Sequence, residues 1–109
     1  MKQKITVHIK ENSWFAIAAA KKMKAQHLAI VYNRTIHLYN TPKQLFLNDV
    51  AWVCHELQHV KQYQQQGSFI FLIKYIWYWA RVGYYNIPYE IEARANENNL
   101  KLLDEYNII

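Results

Sequence analysis

Disulfide bonds, flexible linkers and membrane spans are absent from what this sequence can build. One of its 109 residues is cysteine, Cys54, so no internal disulfide forms and nothing requires an oxidising compartment. Two glycines and two prolines are all that interrupt a composition that is 52% hydrophobic. That scarcity excludes a low-complexity linker or disordered tail and favours a helix-rich globule. No apolar run reaches the ~18 residues a membrane span needs. The start, Met1 to Ile9, alternates like a strand and lacks the apolar stretch of a secretory leader, so the expected location is cytoplasmic. No repeat is visible, and the length suits one domain over residues 1–109.

Acidic residues are also few, 8 against 13 lysines and arginines, for a formal charge of +5. The excess sits at the N-terminus: six lysines face only Glu11 through residue 24, and the remainder balances. Lys21, Lys22 and Lys24 fall where a first helix would end, and cations there suit the helix dipole. Without an arginine-rich stripe or a glycine-rich phosphate loop, this distribution weighs against nucleic acid as a partner.

What is present reads as an α+β chain. Lys4–Ile9 alternates as a half-buried strand, and Asn12 or Ser13 can cap a helix to about Ala25. His27–Tyr32 is a second strand, Asn33-Arg34-Thr35 a turn, and Ile36–Asn40 a third strand. In that third strand Ile36 and Leu38 point one way and His37 and Tyr39 the other. Thr41-Pro42-Lys43-Gln44 carries a helix-start signature, with Thr as cap and Pro in the first turn. Either that helix runs on, or Asn48-Asp49 breaks it and caps a new one; Gly67 ends it in both cases. A further helix spans about Ser68–Tyr85, and Pro88 opens a last one reaching about Tyr106. The expected fold is a small three-stranded sheet with an N-terminal helix, followed by three helices.

The chemistry concentrates at His55-Glu56-Leu57-Gln58-His59. On a helix, imidazoles four positions apart share one face and can bind one metal ion. Glu56 lies about 100° round from His55, beside the metal, where a carboxylate can take a proton from a water. Val50, Val53, Leu57 and Val60 fall opposite His55 and can bury, while Trp52, His59 and Tyr63 share its side. The pattern points to a zinc-dependent hydrolase. A zinc hydrolase usually adds a third protein ligand. Gln62 and Gln65 stand where an HExxHxxGxxH site needs Gly and His, and no histidine follows His59. The candidate donors are therefore Glu90 and Glu92 of Pro88-Tyr89-Glu90-Ile91-Glu92-Ala93-Arg94.

Two histidines on one helix and a glutamate from a later helix resemble the gluzincin zinc metallopeptidases. The pairing of His-Glu-Leu-Gln-His-Val with Glu90-Ile91-Glu92-Ala93 is similar to the short bacterial HExxH domains of unknown function. It also resembles the ImmA/IrrE-type proteases and the soluble part of the CAAX prenyl endopeptidases. The resemblance covers residues 36–100 or so and implies that Glu90, three residues before Ala93, is the third zinc ligand. It implies peptide-bond hydrolysis with Glu56 as general base, then acid to the leaving amine. Arg94 stands where those families carry Asp or Asn, the residue that supports a ligand in them. The resemblance further implies a strand beside the cleft, to which an extended peptide can add. The matching strand is Ile36–Asn40, making His37 and Tyr39 candidates for substrate contact, unless they line an ordinary solvent-facing side. Tyr84, Tyr85 and Tyr89 flank the third-ligand segment, so each is a candidate phenol donor to substrate or a packing residue. The rival reading is a catalytically silent metal-binding or protein-interaction module that retains the motif.

In the aromatic helix, residues 68–85, Phe69, Ile73, Ile76 and Ala80 share a face expected to meet the core. The opposite face, Phe71, Tyr75, Tyr78 and Tyr85 with Lys74 and Arg81, is expected to support self-association or contact with a membrane surface. Cys54 is expected to be a buried thiol, and His8 and His27 have no partner at ligand spacing.

Overall fold

A computed structural model of the chain describes residues 4–109; Lys2, one of the N-terminal lysines, lies outside them. The architecture is α+β, with a four-stranded mixed sheet and six α-helices among the described residues. Strand β1 (Ile5–Glu11) leads into helix α1 (Trp14–Met23). Ser13 caps α1, its Oγ accepting from the Ala16 amide at 3.2 Å, and Lys24 closes it in the left-handed region. Strands β2 (Leu28–Tyr32) and β3 (Thr35–Tyr39) form an antiparallel hairpin, with Asn33 at φ 58° in the turn.

Helix α2 (Lys43–Asn48) is a short piece. Pro42 occupies its cap position, and Thr41 turns its hydroxyl back to the Tyr39 carbonyl at 3.0 Å. Thr41 is therefore not the cap that the start signature suggests. Of the two alternatives, the break at Asn48-Asp49 is the one that forms: Asp49 accepts from the Trp52 amide at 3.2 Å and starts α3 (Val50–Gln66). Gly67 at φ 86° and Gly83 at φ 80° bracket α4 (Ser68–Val82). Both occupy positive φ, which side-chain-bearing residues resist. A 3₁₀ turn (Tyr84–Asn86) leads to α5 (Pro88–Ala95).

The last helix does not run to Tyr106. Asn96, Asn98 and Asn99 lie where the chain turns, and asparagine competes with helical backbone bonding. The chain then forms α6 (Lys101–Glu105) and strand β4 (Tyr106–Ile108). That turn lets Leu102 and Tyr106 reach the core. It also gives the sheet a fourth strand, in the order β2-β3-β1-β4.

The order matters for the site. β3 lies inside the sheet, antiparallel to β2 and parallel to β1, so β2 is the edge. Ile36 and Leu38 of β3 are fully buried with Val53, Leu57 and Val60 of α3, whereas His37 stacks on Phe15 of α1. The two faces of the sheet therefore meet different helices. Val50, expected to bury, is instead substantially exposed at the first residue of α3. The aromatic helix is turned the other way round from its expected orientation. Phe71 is buried against Tyr63 and Tyr89, and Tyr75 points into the site, while Phe69, Ile73, Ile76 and Ala80 face outward. Both faces are apolar, so hydrophobicity could not choose between them; the polar tip of Tyr75 needs a buried partner and finds one. No helix of the described residues is long and apolar enough to cross a membrane.

Candidate metal centre

Helix α3 projects His55 and His59, and the first turn of α5 projects Glu90 toward them. One ligand atom from each lies within 4.8 Å of the others. His55 Nε2 is 3.0 Å from Glu90 Oε1, and His59 Nε2 is 3.1 Å from Glu90 Oε2. Neighbouring donors on a tetrahedral zinc lie roughly 3.4 Å apart; with one Glu90 oxygen on each imidazole and all three ligand atoms within 4.8 Å, the cluster is compact enough to close on one ion. Glu90 is 2% exposed; Glu92, 200° round the helix, is on the surface and cannot reach the imidazoles from there.

The remaining ring nitrogens are fixed by their own partners. Gln62 Nε2 sits 2.7 Å from Glu92 Oε1 and 3.1 Å from the Tyr89 carbonyl, both acceptors. Its amide nitrogen must therefore lie on that side, which turns Oε1 toward His59 Nδ1 at 2.8 Å. Gln58 Nε2 also donates to Glu92 Oε1, at 2.9 Å, steadying that carboxylate. His55 Nδ1 faces Glu97 Oε2 at 2.8 Å. Each imidazole thus donates from Nδ1, and a neutral ring presents the lone pair of Nε2 to Glu90. Two lone pairs facing one buried carboxylate at hydrogen-bond distance repel unless positive charge lies among them. Protons or a metal ion can supply that charge.

The titration of the cluster follows from the same contacts. Burial pushes His55 down, but its bonds to Glu90 and Glu97 and the charge of Glu56 outweigh this and raise it to about 9. His59 is also raised, burial being overcome mainly by Glu90. Glu90 is held well below the usual carboxylate range: burial opposes ionisation, yet hydrogen bonds from both histidines and Tyr75 prevail. Glu56 behaves differently. Burial is its largest influence and pushes it up to about 7, against the attraction of His59 and His55. A carboxyl near neutrality beside an imidazole–carboxylate cluster is suited to exchanging protons.

A narrow cleft of about 50 Å³ opens on this cluster. Glu56, His59 and Glu90 form its polar part, and Phe71, Leu72 and Trp79 contribute to an apolar wall. Leu28 to Val31 of the edge strand β2 lines the opposite side. Compared with protein-family models, curated proteins and solved structures, the chain gives no match. The case for the site therefore rests on its own geometry.

The other sequence candidates are placed elsewhere. His37 accepts or donates through Nδ1 to Ser13 Oγ at 2.7 Å and stacks on Phe15, away from the cleft lining. Tyr39 is likewise outside the lining, because β3 is not the edge. Tyr89 packs on Phe71 and Tyr78 and donates to Gln66 Oε1 at 3.0 Å. Tyr85 is exposed beneath the Arg94 guanidinium, whose carbon lies 3.9 Å from the ring centroid. Only Tyr84 of the three flanking tyrosines lines the cleft; burial and then Glu90 push its phenol up, so it remains a donor. Cys54 is buried and outside the cluster.

Four supporting residues escape the motif reading. Gln62 follows His59 by three positions and Glu97 follows Glu90 by seven, spacings that repeat a helix face and could have flagged both. Tyr75, donating to Glu90 Oε2 at 2.6 Å, and Glu92, anchoring Gln62, carry no such signal because their partners are long-range. Glu97 is the carboxylate that pins His55 Nδ1, at 2.8 Å. Arg94 instead donates to the Tyr85 carbonyl. Replacing Gln62 by leucine keeps the bulk and removes the acceptor for His59 Nδ1. A metal ion held by the cluster should then bind about tenfold or more weakly, read by titrating zinc against a chromophoric chelator.

Proposed function

We propose that this chain is a zinc-dependent metallopeptidase, with zinc held by His55, His59 and Glu90. The observation that carries the reading is the convergence of two Nδ1-pinned imidazoles on one buried carboxylate, with a second buried carboxyl alongside. Zinc bound there would supply a Lewis acid for a water and a peptide carbonyl. Glu56, which lines the cleft beside His59 and Glu90, would take a proton from that water and pass it to the leaving amine. Tyr84 and Tyr75 both line the cleft and both engage Glu90, Tyr75 through Oη at 2.6 Å; Tyr84 is the one of the two that would turn to a developing oxyanion.

The substrate strand would add along β2 rather than β3. The Val31 carbonyl on that edge already accepts from Tyr63 Oη at 3.0 Å. Ala29, two residues back and pointing the same way, lines the cleft beside Glu56 and offers its backbone to an extended peptide. The apolar wall favours a large hydrophobic side chain next to the scissile bond. Elemental analysis of the purified protein should find about one zinc per chain, and a peptide library with hydrophobic residues should be cleaved. Folded protein that never takes up metal would overturn the reading. Zinc without cleavage of any peptide would favour the silent binding module.

A further inference from the structure

We infer that the outward face of α4 docks the protein on an anionic membrane surface. The helix spends its inner face on the core and cleft, through Phe71, Tyr75 and Trp79. Its outer face has no partner among the described residues. Phe69 is 72% exposed and Trp77 54%, with Ile70, Ile73 and Ile76 between them about half exposed. At 100° per residue these five span a continuous arc of roughly 120°. An apolar stripe that wide on a water-facing helix marks a surface that meets something.

Charge identifies the occupant. Lys74 and Arg81, two turns apart on one margin of the stripe, are exposed, and α4 contains no acidic residue. The Arg81 guanidinium carbon lies 5.2 Å from the Trp77 ring centroid, so cation and indole present together. Exposed Tyr85 follows at the same end. A second copy of the chain, packed symmetrically on this face, would oppose cations to cations with no acid to pair them. Lipid phosphate supplies the missing charge, and the headgroup layer is where tryptophan and tyrosine rings partition. The helix is about 22 Å long, too short to span a ~30 Å hydrocarbon core, so it lies in the interface plane. This placement does not depend on zinc or on peptide hydrolysis.

The test is sedimentation of the full chain with vesicles. It should pellet with phosphatidylcholine vesicles containing phosphatidylglycerol, remain in solution with phosphatidylcholine alone, and be released by salt. Ile73→Ser with Ile76→Ser should abolish pelleting. Lys74→Gln with Arg81→Gln should weaken it roughly 30-fold, at about 1 kcal/mol per cation. These side chains are exposed, so thermal melts of both variants should match the parent; if the serine pair melts early, the glutamine pair decides alone. Folded parent that stays in solution with the anionic vesicles overturns the proposal. So does parent whose pelleting the glutamine pair leaves unchanged. A scattering mass of twice 13.1 kDa, returned to one chain by the serine pair, without vesicle binding, assigns the face to a second copy instead.

Discussion

Glu90→Gln should lower zinc affinity by a hundredfold or more, while Glu92→Gln should cost closer to tenfold. The two residues are two positions apart on α5 and differ in what they touch. Glu90 is buried, faces both Nε2 atoms and is kept ionised by them and by Tyr75. Structural zinc sites are worth roughly 10–16 kcal/mol over four ligands, so one ligand contributes on the order of 3 kcal/mol, about two decades. Glutamine at position 90 keeps the shape and loses the charge that offsets the cation. Glu92 acts one step back, holding the amide of Gln62 so that its oxygen faces His59. Its glutamine variant retains an acceptor oxygen, so only part of that support is lost. Isothermal titration of zinc into the stripped proteins measures both. Equal losses, or a larger one for Glu92→Gln, would remove Glu90 from the ligand set.

Glu56→Gln should retain zinc and lower peptide hydrolysis by about 10²–10⁴-fold, the usual contribution of a general acid–base group. Glu56 lines the cleft beside His59 and Glu90 but is not part of the cluster of ligand atoms. Its neutral amide replacement avoids placing an unpaired charge in a buried position, so the fold should tolerate it. The amide cannot accept and return a proton, which separates chemistry from binding. Zinc content by elemental analysis and kcat on a cleaved peptide should therefore dissociate: the first near the parent value, the second lost. A variant that cleaves like the parent would assign the proton transfer to another group. One that loses zinc would make Glu56 part of the metal-binding set.

Local sequence determined what depends on the neighbours along the chain. Four-residue spacing put His55 and His59 on one helix face, and the aliphatic positions Val53, Leu57 and Val60 buried the opposite side. Ser13 caps α1, Gly67 ends α3 and Pro88 opens α5, because caps and breakers act within a turn of themselves. Glu90 and Glu92, two positions apart on α5, point to different sides, and Glu90 is the one that meets the histidines. Tertiary structure decided whatever depends on distant partners. The hairpin and the parallel β1–β3 pairing enclosed β3 and left β2 as the cleft edge, which moved His37 and Tyr39 out of the lining. The turn at Asn96–Asn99 brought Glu97 to His55 and freed the C-terminus to add β4. In α4 both faces were hydrophobic enough to bury, and the buried carboxylate of Glu90, fifteen residues away, selected the face that carries Tyr75. Helical periodicity reports that a helix has faces; which one turns inward depends on the groups that wait there.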